Sequence, residues 1–133
     1  MTKEELIAYW YDSAERDFQT MDHLFISKDY HWSLFIGHLL IEKLLKAIFV
    51  KNNDLSINPP KTHDLLVIAD KANVNTSENQ KDILDMITTF NISARYPDFK
   101  QNFYHKCTEE FTTSMIDKIK EMRLWLISIL EKK

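Results

Sequence analysis

Arg95 is one of three arginines in the chain, with Arg16 and Arg123, and it stands where a helical pattern ends. A planar guanidinium at such a place can fork onto phosphate oxygens. A cation also suits the negative C-terminal end of a helix, and Asp98 follows as a pairing partner, so a structural reading stands beside the ligand-binding one. His63 and Asp64 form an HD pair that lacks the further ligands a metal needs, which points to first-turn helix capping and to no metal site. His38, Glu42 and Lys46, with Lys43 at the border, fall on one narrow helical stripe. Glu42 and Lys46 stand in the better order for an i,i+4 pair, worth roughly 0.2–0.5 kcal/mol. The stripe reads as a solvated face, with a polar cleft or an interface as the alternative. Arg16 and His23 lie about 10 Å apart along a charged helix and read as surface. Cys107, the single cysteine, has no catalytic frame and reads as an inert thiol. Nothing in these patterns calls for a cofactor.

The elements that must carry these residues are helices throughout. Thr2 and Glu5 form a capping box ahead of the apolar series Leu6, Trp10, Ala14, Phe18, Met21 and Phe25. Ser27-Lys28-Asp29 makes the turn into a second helix from about Tyr30 to Lys51. Apart from its polar stripe, that helix is apolar over most of its circumference, so it must be buried on more than one side. It runs through the middle of a bundle, or it faces a partner chain. Gly37 costs about 1 kcal/mol of helix propensity and marks the close approach of a neighbouring helix. After an extended stretch at Pro59-Pro60, Thr62 caps a short helix from His63 to about Ala72. A second capping box, Ser77 and Gln80, opens a fourth helix with Ile83, Ile87, Phe90 and Ala94 on one face. Tyr96-Pro97 ends it, and a last helix from about Thr108 bears Phe111, Met115, Ile119, Met122, Leu126 and Ile129.

Composition narrows the function classes. The 133 residues fit one domain, spanning 1–133, and 44% hydrophobic with 28% charged residues is the balance of a soluble globule. A single glycine excludes turn-rich all-β folds and every Gly-rich phosphate loop. A net charge of -3 provides no global basic field for nucleic acid, which leaves only a local patch. One cysteine, no membrane-length apolar run and an acidic start at Glu4-Glu5 point to a reducing, cytoplasmic setting with no membrane partner.

Three segments stand in order: Ile41-Glu42-Lys43-Leu44-Leu45-Lys46-Ala47, Lys61-Thr62-His63-Asp64-Leu65, and Ala94-Arg95-Tyr96-Pro97-Asp98. With Trp10, Ala14 and Asp17 in the opening helix, they resemble the HEPN family, named for nucleotide binding in higher eukaryotes and prokaryotes, over essentially the whole chain. The resemblance implies an all-α, antiparallel, up-and-down bundle of four or five helices that is usually a homodimer. It also implies a nucleotide or RNA ligand and a minimal nucleotidyltransferase as protein partner. Arg95, Tyr96, Asp98, Lys43, Lys46 and His63 are then the ligand-binding candidates. Some members are metal-independent ribonucleases acting as toxins, in which an arginine and a histidine are separated by four to six residues. Here nine residues separate Arg95 from His105, the next histidine, so this pair is catalytic only if the motif is stretched. The expected function is therefore a nucleotide- or RNA-binding module. A ribonuclease toxin and a ligand-free interaction scaffold are the alternatives.

Overall fold

The computed structural model describes residues 1–132, apart from the side chains of Pro97 and Asp98. Asp98, as a ligand group or as a partner for Arg95, therefore lies outside the described residues. Six helices and no strand occur among the described residues: α1 (Lys3–Ile26), α2 (Tyr30–Asn52), α3 (Leu65–Lys71), α4 (Glu78–Arg95), α5 (Pro97–Lys106) and α6 (Glu109–Glu131). The bundle is all-helical, as the periodicities require. It has one helix more than the five the patterns suggest.

Four helix starts are specified by side-chain caps. Thr2 with Glu5, and Ser77 with Gln80, satisfy each other's free backbone N–H groups at the starts of α1 and α4, and Thr108 Oγ1 accepts the Phe111 N–H at the start of α6. Lys28 turns the chain from α1 into α2 with φ at 66°. α3 begins later than the pattern suggests. Asp64 is its N-cap, accepting the Leu66 and Val67 N–H groups at 3.1 and 3.3 Å. Thr62 lies too far upstream to cap and instead accepts the Asp64 N–H. This leaves His63 outside the helix.

α2 is the axis of the molecule, packing against α1, α3, α4, α5 and α6. Leu34, Leu40, Ile41, Leu44, Leu45 and Ile48 are fully buried by the chain's own helices. The wide apolar arc thus belongs to a central helix and by itself calls for no partner chain. Gly37 lies where α1 and α6 both close on α2: a Cβ there would stand 2.6 Å from Ile119 Cδ1 and 3.1 Å from Met21 Sδ. At the far end, Lys51 Nζ donates to the carbonyls of Ile129 (2.7 Å), Leu130 (3.2 Å) and Lys132, closing the last turn of α6 with a cation from α2.

α5 is the element the sequence pattern lacks. Pro97 ends α4 and also serves as the first residue of a new helix, a position where its missing N–H costs nothing. Phe103 holds α5 to the core by stacking on Phe90, with ring centroids 5.7 Å apart. Phe99, four residues before Phe103 on the same helix, is 53% exposed.

Gly37→Ala should destabilise the fold by about 1 kcal/mol, because overpacking costs of about 1–3 kcal/mol exceed the helix-propensity gain of about 1. Adding Ile119→Val removes the colliding methyl and should restore part of the loss in denaturant melts. A stabilised single variant would show that Ile119 swings aside freely.

Candidate functional site

His38 and Glu42 of the polar stripe of α2 are buried and Lys43 and Lys46 half-buried, contrary to its reading as a solvated face. α1 and the segment leading into α3 cover it. Glu42, with 7% of its side chain exposed, accepts Lys46 Nζ on one carboxylate oxygen (3.1 Å) and His63 Nδ1–H on the other (2.8 Å). His38, fully buried one turn earlier, donates Nε2–H to the His63 carbonyl at 2.9 Å. A carbonyl only accepts, so the proton sits on Nε2, and Nδ1 of His38 is a buried acceptor with no partner. Lys43 pairs with Asp17 of α1 at 2.7 Å, and Lys46 lies over the Trp10 ring. Lys43, Lys46 and His63 are therefore drawn together, but their charged groups are engaged within the protein. Half of the His63 side chain remains exposed.

The remaining candidates lie elsewhere. Arg95 is exposed at the end of α4 and donates to Asn91 Oδ1, one turn back, at 3.3 Å. Tyr96, 54% exposed, follows it. His105 sits in the last turn of α5, so most of that helix, about 12 Å along its axis, separates it from Arg95 within one protomer. Among the described residues no group of three or more His, Cys, Asp or Glu is placed to hold a metal. Cys107 is buried, and desolvation pushes its thiol up to about 11, against a smaller opposing effect of Lys106. It carries no thiolate at neutral pH.

Sequence reasoning missed a second polar surface, between the start of α2 and α5. His31, Lys100, Gln101 and Tyr104 line a concavity of about 430 Å³ there. Tyr104 meets the His31 ring edge-on at 5.2 Å, and Lys100 Nζ lies 5.0 Å over the Trp32 ring. Burial, and then the charge of Lys100, lower the His31 pKa, with Asp29 opposing. The ring is therefore neutral at pH 7. The available signal was Pro97 as a helix start, which puts Lys100 and Tyr104 four apart on one face.

The helical bundle and these segments define the class of protein, and a family comparison names it: the model of the HEPN domain matches residues 7–130. The chain belongs to the HEPN family. No curated protein and no solved structure gives a significant match.

The His38 environment fixes a pH dependence. Burial dominates and lowers its folded-state pKa below 6.5. The hydrogen bond to His63 and the charge of Glu42 oppose this, while His63 and Lys46 add to it. Below 6.5 the unfolded chain takes up a proton that the folded chain refuses. Stability is thus complete above about pH 6.5 and falls as pH drops toward the lower native pKa, with a slope of up to about 1.4 kcal/mol per pH unit. His31 adds a decline of the same sign. His38→Gln should be less stable than wild type near neutrality, and the gap should narrow in urea melts as pH falls toward about 5. A gap independent of pH would exclude the assigned protonation state.

Proposed function

We propose that this HEPN domain is a nucleotide- or RNA-binding module. The observation that carries this reading is α5 with the residue pair before it. Arg95, Lys100 and Lys106 are exposed there, interleaved with the exposed rings of Tyr96 and Tyr104. Cations spaced along a short helix neutralise phosphates, and exposed aromatic rings stack on unpaired bases. The chain is acidic overall, so this local patch stands out from the rest of its surface. A nucleotidyltransferase as protein partner belongs to the same reading, with the family resemblance as its support. So does a homodimer, for which the exposed Ile92, Tyr96 and Phe99 at the α4–α5 corner offer apolar surface. No helix is long and apolar enough to cross a membrane among the described residues, and a cytoplasmic setting remains part of the proposal.

Fluorescence anisotropy with single-stranded RNA at low salt tests the reading directly. Arg95→Ala should keep the wild-type melting temperature, since it loses only a long surface hydrogen bond, and should weaken RNA binding roughly tenfold. A drop in melting temperature with unchanged binding would return Arg95 to a purely structural role.

The ribonuclease reading requires charge stabilisation and proton transfer at one phosphate, with groups about 3 Å from their targets. The length of α5 keeps Arg95 and His105 of one protomer apart. Purified protein with mixed RNA and chelator should therefore show no cleavage. Cleavage abolished by both Arg95→Ala and His105→Ala would make the protein a nuclease whose site is completed by a second protomer.

A further inference from the structure

Beside the α2–α5 concavity lies a smaller one of about 250 Å³, lined by Lys28, Tyr30, His31, Tyr104, His105, Cys107 and Thr108. His31 and Tyr104 belong to both, so the two rings form the wall between them. His31 is only 9% exposed, but its ring nitrogens make no hydrogen bond among the described residues and are not shut away from solvent. An imidazole whose nitrogens open onto a hollow has a donor and an acceptor to offer a ligand there. Tyr104, 59% exposed, offers a ring face to anything that enters.

The start of α2 adds to this. Asp29 occupies the capping position but makes no cap bond to the helix, its carboxylate accepting the Ser27 hydroxyl at 2.9 Å instead. No acidic residue stands in the first turn of α2, whereas α6 carries Glu109 and Glu110 in its own. Lys28 on one side of the wall and Lys100 on the other are the cations nearest the two hollows.

We infer that this paired hollow is the specific site for one unpaired nucleotide unit, the base against Tyr104 and His31 and the phosphate toward the flanking lysines. Neutral His31 supplies one donor and one acceptor, which matches the mixed edge of a nucleobase better than it matches an anion. Gln101 provides a second group of the same kind. The larger hollow, at about 430 Å³, lies within the range of small-ligand sites, about 300–1,000 Å³. The assignment rests on the binding reading above and locates its specific part. The nucleotide unit is a free mononucleotide or a residue within single-stranded RNA, and the two sources are separable by titration.

The test compares wild-type protein, His31→Phe, Tyr104→Ala and Lys100→Gln, each titrated with adenosine monophosphate, a short single-stranded oligoribonucleotide and the matching duplex. His31→Phe keeps an aromatic ring at this position and removes the nitrogens, and a melting curve checks its fold. Lys100→Gln changes an exposed side chain, so the test survives if His31→Phe does not fold. The expected result is loss of single-strand affinity by roughly tenfold in His31→Phe and Lys100→Gln and by about ten- to hundredfold in Tyr104→Ala. Duplex should bind more weakly than single strand. Parallel losses for the mononucleotide identify a free nucleotide as sufficient, and losses confined to the oligomer identify RNA as the source. Wild-type binding that all three variants match within about twofold, while Arg95→Ala loses it, overturns this site and leaves the module reading intact. No binding of any probe by wild type overturns both.

Discussion

A carboxylate inside a helical bundle must be satisfied or the fold fails, and Glu42 is that carboxylate. Its position on the central helix is fixed by the apolar residues around it, and α1 and the segment before α3 cover the carboxylate. Burying the charge is tolerable because Lys46 and His63 take one oxygen each. That requirement fixes the segment before α3, since His63 must stand where its ring reaches Glu42 and its carbonyl reaches His38. Asp64 then caps α3, and the Leu65 N–H finds Thr88 of α4. One buried charge on α2 thereby sets the placement of two further helices.

The same chain of contacts explains why the EKLLKA and THDL segments occur together in one sequence. Glu42 in the first is the hydrogen-bond partner of His63 in the second, and Lys46 and Lys43 turn back onto Trp10 and Asp17 of α1. These segments read more convincingly as a structural joint than as an open ligand site. The surfaces left for ligand are the end of α4, α5 and the hollow against the start of α2.

What the sequence made legible was local chemistry. Both capping boxes and the close approach at Gly37 follow from residue type and spacing alone. Periodicity also located the polar stripe of α2, but a stripe shows only which face is polar and nothing of what covers it. α1 and the pre-α3 segment come from elsewhere in the chain, so burial of Glu42 was not readable from the helix itself. α5 was missed because proline is both a terminator and a favoured first residue, and only the docking of Phe103 on Phe90 decides between them. His31 was passed over for a related reason: on the sequence it is one residue in an aromatic run, and its hollow exists only once α5 is in place.

The lysine that closes the end of α6 has a consequence for motion. Terminal helical turns ordinarily fray, opening at almost no free-energy cost. Here the final carbonyls of α6 are held by Lys51, a residue 78 positions away from Ile129 and rooted in the most buried helix. The end of α6 cannot peel away without breaking its tie to the bundle axis. Amide exchange in its last turn should accordingly follow the cooperative opening of the α2–α6 pair, making that turn a reporter of the core.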